Sequence, residues 1–77
     1  MPVYNFESTV EIFRTNVRDE IMADKVVSVL LDNFPEATIN FDLEDCDRIL
    51  RIEDIRIDTE KVKNILHTYQ IHVELIF

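Results

Sequence analysis

Seventy-seven residues, 47% of them hydrophobic and 31% charged, suit one folded domain and are too apolar for a disordered chain. A chain this short buries only about 60% of its unfolded surface, which fits a single core between two layers. Sixteen acidic against eight basic residues leave a formal net charge of -8, a poor match for nucleic acid or an anionic membrane, and the absence of glycine removes both common phosphate-cradling loops.

Residues 1–8 read as an N-terminal arm carrying Tyr4 and Phe6. From Thr9 to Arg14, TVEIFR alternates, which predicts a strand with Val10 and Ile12 turned to the core and Glu11 and Phe13 turned away. Asn16 or Asp19 can cap a following helix, and Asp19 and Glu20 suit its positive end. Met22, Val26, Val29 and Leu30 form its apolar stripe, and Pro35 forbids continuation beyond about Asn33. Ala37 to Leu43 alternates again, with Ile39, Phe41 and Leu43 inward, and Arg48 to Asp54 does so with Leu50 and Ile52. Only Glu44, Asp45, Cys46 and Asp47 lie between these strands, which makes them a β-hairpin. Asp58 and Thr59 offer the next helix cap, and Val62, Ile65, Leu66 and Tyr69 make a stripe over residues 59–69. Ile71 to Phe77 closes the chain as a strand, with Ile71, Val73 and Leu75 on one side and His72, Glu74 and Ile76 on the other.

The order β-α-β-β-α-β predicts an α+β, ferredoxin-like sandwich: a four-stranded antiparallel sheet with two helices on one face. It is expected as a single domain over residues 1–77, with its core at about 9–76. No basic leader precedes a long apolar run, so a complete cytoplasmic chain beginning at Met1 is expected, and its single cysteine can form no internal disulfide.

FPEATINFDL, Phe34 to Leu43, resembles the L-P-G-V-x-x-V-x-V-D-L stretch of heavy-metal-associated domains, the copper-chaperone-like group. The succession of strand, valine-rich helix, hairpin, helix and strand agrees over residues 9–76. That family binds soft metals through M-x-C-x-x-C in its first strand–helix loop, where two thiolates near a helix N-terminus converge on one ion. Matched from the first strand, with Val17 at the methionine, Asp19 and Met22 stand at the cysteine positions. Matched back from Phe34 and Pro35, Glu20 and Ala23 stand there. Neither register supplies a thiol, so the resemblance implies a domain of this type with no metal or other cofactor in that loop.

Cys46 lies in the hairpin turn among Asp42, Glu44, Asp45 and Asp47. Carboxylates disfavour a neighbouring thiolate, and turn aspartates bond their own backbone, so this stretch reads as a solvated turn. The alternative is a metal-binding or metal-carrying protein that uses these carboxylates, the histidines and Cys46, although the spacing and glycine of an EF-hand loop are missing. His67 is expected to be exposed, and His72 to lie on the open sheet face beside Glu74. No nucleophile and base stand in a recognisable catalytic pattern, and no enzyme is expected. By parity the open sheet face carries Phe13, Ile49 and Ile76, either as an exposed apolar patch rimmed by charge or as a surface covered by Tyr4 and Phe6 of the folded-back arm. The expected function is a non-enzymatic interaction or regulatory module, whose partner protein or second copy docks on the open sheet face or an edge strand, with no nucleic-acid or membrane partner.

Overall fold

A computed structural model describes residues 9–76 and places six elements along them. They are β1 (Thr9–Thr15), α1 (Glu20–Asn33), β2 (Thr38–Asp42), β3 (Ile49–Asp54), α2 (Thr59–Thr68) and β4 (Val73–Leu75). The strands form one antiparallel sheet in the order β2-β3-β1-β4, and the chain has the expected ferredoxin-like βαββαβ fold. Each helix carries the chain across from one strand to a non-adjacent one. The expected arm with Tyr4 and Phe6, and the last residue Phe77, lie outside the described residues.

Both helices begin where the sequence offers an aspartate. Asp19 accepts the Met22 N–H at 2.8 Å, and Asp58 accepts the Lys61 N–H at 3.1 Å. Helix α1 ends at Phe34, whose N–H donates to Leu30 at 2.7 Å before Pro35 turns the chain into β2. Helix α2 ends in a Schellman turn: Ile71 N–H donates to Leu66 O at 3.0 Å and Gln70 N–H to His67 O at 2.9 Å. Gln70 takes the left-handed position, with φ of 63°, where a glycine is the usual occupant. Gln70→Gly is therefore expected to stabilise the domain by about 0.5–1 kcal/mol, visible as a higher urea midpoint at unchanged slope.

The core lies between one sheet face and the two helices. Phe13, Leu50 and Ile52 from the sheet meet Ala23, Val26 and Leu30 from α1 and Val62 and Leu66 from α2. Val17 and Ile71, from the segments that lead into α1 and β4, complete it. Ile39 and Phe41 of β2 pack against it from one side, as their alternation predicts.

Two expectations about side-chain direction are corrected. Phe13 faces the core and is wholly buried, while Val10 is 36% exposed and Ile12 only half-buried. The strand register explains this. Phe13 lies directly opposite Leu50 on β3 and Leu75 on β4, so the three share a face. Because the period of a strand is two, a slip of one residue exchanges its faces, and the largest side chain of β1 takes the inner one. In α1 the buried stripe is Ala23, Val26 and Leu30, and Met22 stays exposed. Val26 and Leu30 belong to both possible stripes. Which neighbours join them depends on a roll of about 100° per residue, which packing decides.

Candidate functional site

On the outer sheet face, away from both helices, apolar and charged residues alternate. Along β1 it carries Val10, Ile12 and Arg14. Along β3 it carries Ile49, Arg51 and Glu53. Ile12 lies opposite Arg51, and Val10 opposite Glu53. Ile76 joins from just beyond β4, its N–H donating to Ile12 O at 2.8 Å. Ile49 sits diagonally from Ile12, within side-chain reach. The rim is held by Arg14, whose guanidinium lies 3.4 Å from both Asp47 and Glu74. All three of those side chains are well exposed, so these pairs orient more than they stabilise.

Of the three residues expected in the patch, Ile49 and Ile76 lie on this face and Phe13 does not. Val10 and Ile12 take its place, and a longer window of sequence carries the signal for that. Extended past the strand, the row Phe13, Thr15, Val17 ends in an apolar residue, while the row Val10, Ile12, Arg14, Asn16, Arg18 turns polar and basic. Val17 is almost fully buried, so the first row is the inner one.

The loop matched to the metal motif is occupied with starting the helix. Asp19 caps α1, and its backbone carbonyl also accepts from Ala23 N–H at 3.0 Å. Glu20 is exposed in the first turn, where a negative charge favours the helix dipole. Ala23 is in the core, and Met22 brings the one sulfur among the four matched positions. A single thioether is a weak substitute for a thiolate pair on a soft ion.

The Cys46 turn is built by its own aspartates. Asp42 Oδ1 accepts the N–H groups of Glu44 and Asp45, each at 3.2 Å, and Asp45 Oδ1 accepts Asp47 N–H at 2.8 Å. Arg48, with φ of 51°, closes it: its N–H donates to Asp45 O at 3.0 Å and its guanidinium to Leu43 O at 2.9 Å. Cys46 is exposed. Asp45, Cys46 and Asp47 could each turn one donor atom toward a common point, all within 4.8 Å. Two carboxylates are far short of the six or more oxygens a calcium ion takes, and Arg14 beside Asp47 opposes any cation.

His67 and His72 meet edge to face, with ring centroids 6.0 Å apart, at the C-terminal end of α2. His72 is anchored by its backbone: its N–H donates to Asn16 Oδ1 at 3.0 Å, and its carbonyl accepts Asn16 N–H at 3.2 Å. Asn16, one of the two expected helix caps, thus ties the β1–α1 loop to β4. Among the described residues these histidines belong to no convergent group of three or more metal donors, and no helix is long and apolar enough to cross a membrane. No protein-family model, curated protein or solved structure matches the chain.

Proposed function

We propose that the chain is a non-enzymatic, cytoplasmic protein-interaction module of the heavy-metal-associated type that lacks the metal thiols. Its contact surface is the outer sheet face. The observation that carries the reading is the grouping of Val10, Ile12, Ile49 and Ile76 between Arg14, Arg51, Glu53 and Glu74. Aliphatic area supplies the drive for association, at about 25 cal/mol per Å² removed from water, and mixed charge on the rim sets the register. A second copy suits such a surface because both signs of charge are present on it. The metal-carrier reading rests on the convergence of Asp45, Cys46 and Asp47 and has fewer donors to offer.

A native mass spectrum with added Cu(I), Zn(II) and Ca(II) separates the two readings. The expected result is a chain without stoichiometric metal, and a dimer that grows with concentration and is lost in Ile12→Glu. A bound ion that disappears in Cys46→Ser would replace the interaction module by a metal carrier.

A further inference from the structure

A cavity lies beside the β2 edge of the sheet, between α1 and β2. Its volume is about 540 Å³. Its apolar lining comes from Val27 on α1 and from Ile39, Phe41 and Leu43 in and just after β2, and Glu20 and Asp24 stand on its helical wall. No lysine or arginine lines it. A second cavity, of about 360 Å³, lies at the start of β2 and is lined by Glu36, Glu53 and Asp54 as well as Thr38 and Ile55. Strand β2 is therefore an edge strand with acidic groups toward both ends and an apolar trough along its inner side. Among the described residues only β3 pairs with it. The other edge of such a strand presents unpaired backbone N–H and C=O groups, ready to accept a further strand.

We propose that this edge binds an extended basic peptide, which adds to β2 as a fifth strand of the sheet. Backbone bonds to β2 supply the pairing. The peptide's inward aliphatic side chains enter the trough, and flanking lysines or arginines reach the acidic groups at either end. Charge selects this occupant over a second copy of the chain. Pairing β2 with itself would bring the Glu20 and Asp24 wall of one copy against the acidic ends of the other, and like charges brought together there oppose association. The proposal rests on the interaction-module reading and adds the chemistry of a partner, on a surface separate from the outer sheet face.

The test is a fluorescence titration with the labelled peptide Lys-Arg-Val-Thr-Val-Thr-Val-Lys-Arg, together with backbone amide shifts in nuclear magnetic resonance. Saturable binding is expected, with shifts confined to residues 36–43, the facing side of α1 and the Glu53–Asp54 end of β3. Affinity should fall about tenfold in the double variant Glu20→Lys, Asp24→Lys, weaken with salt, and stay unchanged in Ile12→Glu. Glu20 and Asp24 are exposed, so the double variant is expected to fold, and its circular dichroism melt is the check. Several results would each overturn the proposal. They are no saturable binding, equal binding by the double variant, shifts on the outer sheet face instead, or pairing of the free chain with itself along β2. Loss of binding in Ile12→Glu would move the peptide to the outer face, whereas failure of the groove alone leaves the outer-face reading standing.

Discussion

Phe13→Ala is expected to destabilise the domain by about 3–5 kcal/mol, the range for truncating a buried aromatic and leaving a cavity. Phe13 is wholly buried and lies at the centre of the sheet, between Leu50 and Leu75, beneath both helices. The neighbouring strands are fixed by their ladders, so the space cannot close by local movement. Domains of this size have about 5–15 kcal/mol of stability in all, so the loss takes a large share of it. Urea unfolding followed by circular dichroism would read this as a midpoint shifted far down, or as no cooperative transition at all. A change within about half a kcal/mol would mean that Phe13 is not in the core.

The second large effect is expected at Thr15, the one buried polar residue of the described core. Its Oγ1 donates to Arg48 O at 2.6 Å and accepts Val17 N–H at 3.2 Å. One hydroxyl thus joins the end of β1 to the Cys46 turn and holds the start of the loop that leads into α1. Thr15→Val keeps the shape and the strand preference but removes both bonds, leaving the Val17 N–H buried without a partner. A cost of about 1–3 kcal/mol is expected from that unsatisfied group. Thr15→Ser should recover most of it, since the hydroxyl alone makes the bonds. A loss in Thr15→Ser with none in Thr15→Val would assign the effect to the methyl group instead.

Element order was legible because each element is bounded by strong local chemistry. Asp19 and Asp58 mark helix starts, Pro35 marks a stop, and the aspartates from Asp42 to Asp47 mark a tight turn. Where the sequence supports two answers, only packing chooses between them. In β1 both rows contain apolar residues, and the burial of Phe13 is settled by its opposition to Leu50, a contact 37 residues away in sequence. In α1, Ala23 is a small residue that adds little to an apolar stripe read by size, yet it is buried in the core. The outer-face site was therefore half visible. Ile49 and Ile76 follow from β3 and the closing segment around β4, where the inner positions of Leu50, Ile52 and Ile71 are unambiguous. Val10 and Ile12 required the register of β1. The groove beside β2 was not legible at all, since it depends on how far α1 stands from the sheet edge.

Thermal unfolding of Ile12→Glu against Phe13→Glu tests the central claim most directly: that β1 turns Phe13 to the core and Ile12 to a surface free for contact. On the outer face, glutamate at position 12 stands opposite Arg51, where a cross-strand pair of opposite charge is tolerated. At position 13 the same side chain would be buried among Leu50, Val62 and Leu66 with no partner. The account predicts a cooperative melt close to that of the parent chain for Ile12→Glu and an unfolded chain for Phe13→Glu. A folded Phe13→Glu beside an unfolded Ile12→Glu would contradict it, and with it the placement of the outer-face site.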